Sequence, residues 1–474
     1  MRDSIRIFLS FAVVVAFFVV LFNRTLPRPA DTLYVNGTVY TMDEENTIAE
    51  AMAVLGGRIA GVGNRLDLEE RFVPRDVVDL EGKAVFPGFI DAHAHLMSLG
   101  IARITVDLVG CMSEAEALER VRSRAAQVQP GTWIRGRGWD QNDWRTKRFP
   151  TASSLDRVSP ENPVYLTRID GHAAWVNSLA LQAAGVTAET PDPPGGKIIR
   201  EPAGEPTGVL VDLAMRLVRD VLPPPSTEEK AQALSLAVEE CLQYGITEVH
   251  DMGVDLEEIS LYRQFIDQGQ LGLRVYAAIG GLGETWESFL ESGPLIGYGD
   301  HRLTVRALKL YVDGALGSRG AALIEPYSDD PGNRGLTLTA QEDLQKAIDE
   351  ALQNGFQVCT HAIGDRGNNI VLNAYGSGLS RNPQTDHRLR VEHAQVLAPS
   401  DIPRFSQLGV VPSMQPTHCT SDMYWAEARL GPNRVRGAYA WRSLRETGVM
   451  IPGGSDFPVE LVNPLFGIYA AVTR

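Results

Sequence analysis

The amino-acid sequence predicts an α/β protein: a (β/α)8 TIM-type barrel, preceded by a small N-terminal β-sandwich portion and an N-terminal transmembrane helix. Three observations carry this expectation. From residue 89 onward, short apolar runs alternate with amphipathic stretches, and eight such runs can be counted. Residues 31–88 instead show short alternating segments punctuated by glycine turns, and residues 7–22 form one uncharged run. With 474 residues, 44% hydrophobic and 22% charged, the chain can bury a large core.

The run 7–22 is rich in Val, Phe and Leu and is bracketed by Arg6 and Arg24. It is slightly short for a hydrocarbon core of ~30 Å, but the two arginines can snorkel to the interfaces. A cleaved signal peptide is the rival reading. Asn23, Arg24 and Thr25 offer no small-x-small cleavage site directly after Phe22, which favours an uncleaved anchor. Residues 26–30, with Pro27 and Pro29, read as a stiff linker, so 1–30 is expected to be anchor and linker. Arg2 and Arg6 on the short flank would stay inside, giving a single-pass membrane protein with an extracytoplasmic globular part. The formal net charge of -15 argues against a nucleic-acid partner, since phosphate binding needs a basic surface. The four cysteines form no CxxC pair and read as small buried hydrophobes.

Within 31–88, strand-like stretches are expected at 32–42, broken by Asn36-Gly37, at 51–62, turning at Gly56-Gly57, and at 77–86, ending at Pro87-Gly88. These make the N-terminal part of the β-sandwich. The barrel, 89–474, takes its strands from 89–91, 246–250, 273–279, 303–312, 356–361, 389–393, 410–415 and 450–455. Stretches such as 228–244 and 341–354 supply amphipathic helices between them, the alternation of a parallel sheet. The interval of about 100–225 is too long for one crossover. With its Gly/Trp-rich piece 136–144 and Pro-rich piece 191–196, it is expected to be an inserted subdomain at the barrel mouth.

In this assignment the polar residues of interest fall at the C-terminal ends of strands, where barrel enzymes place their sites. The first strand ends in Asp91-Ala92-His93-Ala94-His95; His93 and His95, two apart on an extended chain, project to one side as a chelate for Zn²⁺ or a similar ion. A lone HxH motif also occurs by chance in loops. His361, His393 and Asp456 at later strand ends add three further potential ligands, each of which alone could be a hydrogen-bonded core or loop residue. Lys309 lies in the apolar run 303–312, where a bare ammonium is costly. It is either paired with a carboxylate such as Asp313 or carboxylated by CO₂ into an anion able to bridge two metals.

His93-Ala94-His95, Lys309, His361, His393 and Asp456 resemble the ligand order of the amidohydrolase superfamily. The phrases Pro87-Gly88-Phe89-Ile90-Asp91, Gly138-Trp139-Asp140, and Asp170-Gly171-His172 with Asn177 narrow the resemblance. So do 313–319 (DGALGSR) and Gly454-Ser455-Asp456-Phe457-Pro458. Together they resemble the amidohydrolase family 3 branch, which includes N-substituted formamide deformylases, over residues 31–474. The resemblance implies a hydrolase acting on carbon–nitrogen bonds other than peptide bonds, with one or two divalent metals, zinc first. His93 and His95 would hold one metal with Asp456 nearby, His361 and His393 the second, and carboxylated Lys309 would bridge them. Asp456 would shuttle the proton, and His172 and Arg319 would contact the substrate or its oxyanion. Trp139, Asp170 and Asp313 are the remaining substrate-binding candidates. His250 and Asp251 would serve directly or behind the ligands. His301, His387 and His418 are expected to be structural, with the option that His418 faces the pocket.

The implied partner is a small-molecule amide; a homo-oligomer is left open. The resemblance also implies a final helix and returning sandwich strands beyond strand eight, so a truncated C-terminus at Arg474 is expected, and with it poor solubility or dependence on a partner. Two alternatives stand beside the amidase: a cyclic-amidase or deaminase-type relative with the same metals, and a non-catalytic, membrane-anchored homologue.

Overall fold

A computed structural model describes residues 27–141, 143–168, 173–193, 196–317 and 319–473. Its contacts divide the chain at Gly88/Phe89 into two units. In the first, a four-stranded sheet runs in the order Arg58–Gly63, Ala51–Leu55, Arg28–Val35, Phe72–Asp79. The first two pairings are antiparallel and the last is parallel. Alternation puts Leu33 and Val35, with Ala51 and Ala53, on the buried side against Leu68 and Phe72. The helix Arg65–Arg71 that carries Leu68 is capped by the Asn64 side chain. A second small sheet joins Ile48–Ala49, Thr38–Tyr40 and Ala84–Val85.

The linker expected at 26–30 is corrected here: Arg28, Pro29 and Ala30 open the strand Arg28–Val35, and Ala30 is buried. Pro29 lacks an N–H, which a strand tolerates near its first residue. The expected anchor at 7–22 lies outside the described residues. Among the described residues, no helix is long and apolar enough to cross a membrane.

The second unit is built on seven parallel strands: β1 (Phe89–Ala94), β2 (Ile246–Val254), β3 (Arg274–Gly280), β4 (Leu303–Tyr311), β5 (Gln357–Ala362), β6 (Arg390–His393) and β7 (Val411–Ser413). Each pairs with the next in sequence. A short strand, Leu295–Gly297, adds antiparallel to β4. The helices returning between strands, Leu256–Asp267, Gln341–Gln353 and Asp365–Arg381 among them, bury their apolar faces on the sheet in one continuous core.

The eighth strand expected at 450–455 does not form as a regular strand, because Pro452 cannot donate to a ladder and Gly453-Gly454 has no side chain to pack. Residues 452–455 instead run extended between β7 and β1, and Asp456 turns out of the stretch with a positive φ. Met414 N donates to Pro452 O at 3.1 Å and Gly454 N to Met414 O at 3.1 Å; on the other side Ala92 N donates to Gly453 O at 3.1 Å and Asp456 N to His93 O at 2.7 Å. This seam brings the seven-stranded barrel close to closure. Gly454 is required there: a Cβ at this position would lie 2.5 Å from His93 N and 3.0 Å from Asp91 Oδ1.

Between β1 and β2 the chain departs into a six-stranded sheet, ordered Gly196–Arg200, Pro206–Asp212, Ala173–Val176, Val164–Arg168, Ile134–Trp139, Val106–Asp107. Two helices flank this excursion, Leu96–Ile104 on the way out and Thr227–Gln243 on the way back. They pack so closely that a Cβ on Gly100 would lie 2.0 Å from Ala233 O. The chain ends in the helix Pro464–Thr473, of which only Ala470 is buried.

Candidate metal centre

Six of the sequence-predicted residues line one cavity of about 400 Å³ at the C-terminal ends of the strands: His93, His95, Lys309, His361, His393 and Asp456. Strand geometry delivers them. His93 is the penultimate residue of β1, and His95 is the N-cap of the helix that follows. Lys309 and His361 stand near the ends of β4 and β5, and His393 ends β6. Asp456 comes off the seam. His393 and Asp456 both hold positive φ, 73° and 63°, a conformation costly for most residues and concentrated at functional sites. A larger groove of about 860 Å³, beside the helices Trp441–Glu446 and Pro464–Thr473, contains none of the six.

Three of the four histidines are oriented by the same device. His93 Nδ1 meets Glu392 Oε2 at 2.6 Å, His95 Nδ1 meets Met252 O at 2.8 Å, and His393 Nδ1 meets Gln415 Oε1 at 2.7 Å. Glu392 offers only acceptor oxygens, so the proton of a neutral His93 sits on Nδ1 and Nε2 keeps its lone pair for the cavity; the Gln415 amide oxygen does the same for His393. His95 differs: burial works to lower its pKa, but the Asp456 carboxylate at its Nε2 prevails and raises it. The rings crowd together, with centroids 4.8 Å apart for His93 and His393 and 4.5 Å for His361 and His393. Asp456 Oδ1 lies 3.1 Å from His95 Nε2 and 3.6 Å from His93 Nε2.

Burial, with the Lys309 charge beside them, pushes the His93 pKa down to about 4 and the His361 pKa down to about 3. Burial and the His361 and His93 rings hold His393 well below its usual range. These imidazoles are therefore neutral. Burial works to raise Asp456, but the His95 hydrogen bond and the surrounding rings prevail and bring it to about 2. Burial also pushes the Lys309 amine below the ordinary lysine range. The Nε2 atoms of His93 and His361 are buried and have no hydrogen-bond partner, where buried polar atoms are ordinarily paired. Donor atoms of His93, His393 and Asp456 all lie within 4.8 Å of one another. Neutral imidazoles with free Nε2 lone pairs around an ionised carboxylate form the donor set a divalent cation takes, so the residues present fit a metal.

The pairing of Lys309 with Asp313 does not form. Asp313 accepts instead from three backbone N–H groups, Ala322 at 2.9 Å, Ile363 at 2.9 Å and Gly364 at 2.8 Å. Among the described residues no ion pair includes Lys309, whose ammonium lies 4.9 Å from the Tyr311 ring centroid. Asp313 thus joins the loop after β4 to the turn after His361, which corrects its reading as a substrate contact. Trp139 is corrected too. It is fully buried in the insert, its indole donates to Leu166 O at 2.8 Å, and its ring packs with Trp144 and Trp175 at 6.1 Å each. Arg319 does not line the cavity; its guanidinium pairs with Asp329 at 2.9 Å. Asp170 and His172 lie outside the described residues. His250 and Asp251 stand behind the site: His250 Nδ1 faces Arg390 Nη1 at 2.7 Å, and Asp251 accepts from Leu96 N at 2.8 Å and from the Tyr262 hydroxyl.

His418, read as structural with the option that it faces the pocket, takes that option: it lines the cavity with its Nε2 3.6 Å from Asp456 Oδ2 and its ring stacked 5.9 Å from His393. His387 is structural, bonded to Leu408 O at 3.0 Å. Tyr311, Gln395, Asp422 and Trp425 complete the walls, with Gln395 donating to Asp422 at 2.8 Å. No motif marked these; Tyr311 ends β4 and Gln395 lies two residues past β6, while Asp422 ends the helix Pro416–Asp422 that follows β7 and Trp425 lies beyond it. All four cysteines are free and buried.

Comparison with known proteins agrees with this geometry. The model of the amidohydrolase family matches residues 76–474. Protein LONG AFTER FAR-RED 3 of Arabidopsis thaliana is 38% identical over 459 residues, spanning 94% of this chain and 78% of its own. The N-substituted formamide deformylase of Arthrobacter pascens is 29% identical over 471 residues, 94% of this chain and 84% of that one. A crystal structure of a metal-dependent hydrolase from Pyrococcus furiosus superposes with a TM-score of 0.78 at 28% identity, covering 94% and 89% of the two chains. With its barrel, its cluster of donor side chains and a family match over most of its length, this chain belongs to the amidohydrolase family of metal-dependent hydrolases.

Proposed function

We propose that this chain hydrolyses a C–N bond, of the amide or formamide kind, in a small molecule. The metal is a divalent ion, zinc first, held by His93, His95, His361, His393, Asp456 and a carboxylated Lys309. The observation that carries this reading is the convergence of the neutral imidazoles of His93, His361 and His393, together with His95, on the ionised Asp456 in one cavity of about 400 Å³. The likeness to an N-substituted formamide deformylase supports the choice of bond.

When bound, the metal supplies Lewis acidity, which polarises a carbonyl and lets a water ionise at a pKa of about 7. The chain's own part is proton handling and positioning. Asp456 stays ionised through the neutral range and so is ready to take a proton from water and return it to the departing nitrogen. His418, facing the second oxygen of Asp456, bounds the space where that nitrogen would sit. Lys309, its amine eased toward neutrality by burial, can add CO₂ with loss of a proton, replacing a buried cation by an anion among four histidines. The test is a panel of N-formyl and N-acyl amides offered to metal-loaded and metal-stripped protein, with release of amine measured. Turnover of a panel member that disappears on stripping and returns with zinc is expected. Turnover that survives stripping, or none by protein shown to carry metal, would overturn the reading.

A further inference from the structure

Of the three acceptors that orient the site's histidines, only Glu392 is charged. The other two, Met252 O and Gln415 Oε1, are neutral. Glu392 is fully buried, and so is nearly all of Arg390, two residues earlier on β6 and therefore on the same face. A TIM-type barrel ordinarily fills this interior with branched apolar side chains. A buried ion pair is no stability gain over well-packed hydrophobes, because removing two charges from water is costly. Its presence directly beneath a metal ligand therefore calls for another explanation.

The contacts of Arg390 supply one. Its Nη2 donates to Glu392 Oε2 at 3.0 Å, the same oxygen that receives His93 Nδ1. Nη2 also donates to Ala92 O at 2.5 Å, the backbone carbonyl immediately before His93. Ser413 Oγ on β7 takes a further bond at 2.8 Å, and Nη1 meets His250 Nδ1 on β2 at 2.7 Å. One guanidinium thus fixes both the acceptor of the His93 ring and the main chain that carries His93, while braced against the strands on either side of β1 and β6. Lysine could not do this, since it lacks the planar fork.

We propose that Arg390 and Glu392 are a positioning pair for His93, which sets how tightly the His93 site holds its metal. The carboxylate keeps the Nδ1–H tautomer and strengthens Nε2 as a donor. The guanidinium keeps the carboxylate and the β1 backbone in register. Neither side chain lines the cavity, so neither touches the substrate. This inference rests on the metal-centre reading but not on the choice of bond, and it holds for any reaction run at this site.

The experiment is metal affinity of the full chain, measured by competition with a chromophoric chelator, together with the visible absorption of the Co²⁺-substituted protein. Glu392→Gln keeps the volume and removes the charge. Outer partners of metal-bound histidines typically matter by about 10–100-fold in affinity, and a loss in that range is expected, with a changed Co²⁺ spectrum. Arg390→Lys keeps the charge and loses the fork; its expected loss is smaller and in the same direction. Thermal unfolding of the metal-free proteins separates positioning from damage: a positioning role lowers affinity per folded molecule. Should Glu392→Gln fail to fold, Glu392→Asp, which keeps the charge but withdraws it from His93, is expected to show the same loss. Affinities within twofold of the parent, or losses that merely follow the unfolded fraction, would overturn the proposal. A chain that binds no metal at all would instead overturn the metal-centre reading.

Discussion

Asp456 receives contacts from three histidines, and its two oxygens face different groups: Oδ1 toward His95 and His93, Oδ2 toward His418. A carboxylate so placed can serve the metal on one side and a moving proton on the other. Asp456→Asn keeps the shape and removes the base, so turnover is expected to fall about 10²–10⁴-fold while metal per chain falls far less; parallel kcat and elemental analysis check this. Lys309→Ala is expected to lose metal and activity together, with partial recovery in short carboxylates that can occupy the vacated place. Recovery measured against a chloride control at equal ionic strength decides it. Arg319, engaged by Asp329 away from the cavity, is expected to tolerate Ala with turnover within about tenfold of the parent, since a lost surface ion pair costs roughly 0–1 kcal/mol.

At the scale of elements, two glycines make contrasting predictions. Gly454→Ala drives a methyl into the His93 backbone at the seam, so it should cost about 1–3 kcal/mol of stability and release metal. Gly100→Ala pushes apart the helices Leu96–Ile104 and Thr227–Gln243, and should cost a similar amount with less effect on metal bound per folded molecule. Denaturant midpoints read alongside metal content distinguish them. The elements also show what the sequence makes legible. β4 and β5 are apolar runs, read almost to their ends, and the metal-ligand candidates were visible because strand ends concentrate polar residues after apolar stretches. The eighth run misled because its place in the strand–helix alternation favours a strand, although Pro452 and Gly453-Gly454 disfavour a regular one. Trp139 misled because a motif marks a place in the chain and not the direction of a side chain; its indole completes the core of the insert. Arg390 and Glu392 were legible in principle as two charges two residues apart within a buried strand. Their meaning depended on partners as distant in sequence as Ala92 and His250, which no local pattern discloses. The six strands of the insert are short and mixed in polarity, and their order is set by tertiary pairing.

For the whole molecule, the uncharged run 7–22 leads us to predict that the chain carrying it stays with the membrane fraction through alkaline carbonate washing, with release into the wash as the outcome against an anchor. The barrel's own stability has a different determinant. Its closing seam at 452–456 makes only a few backbone hydrogen bonds, yet it carries Asp456 to within 4 Å of His93 and His95, residues belonging to the first strand and its exit. An ion held by residues on both sides of that seam would act as a rivet between the two ends of the barrel sequence, and the folded population would become a function of metal supply. By mass action, free metal at a hundred times its dissociation constant adds about 2.7 kcal/mol to the native state. The melting temperature should therefore rise with the logarithm of free zinc and fall in chelator. In a cell starved of that metal, fewer molecules would be folded as well as fewer active, so that abundance itself would report metal status.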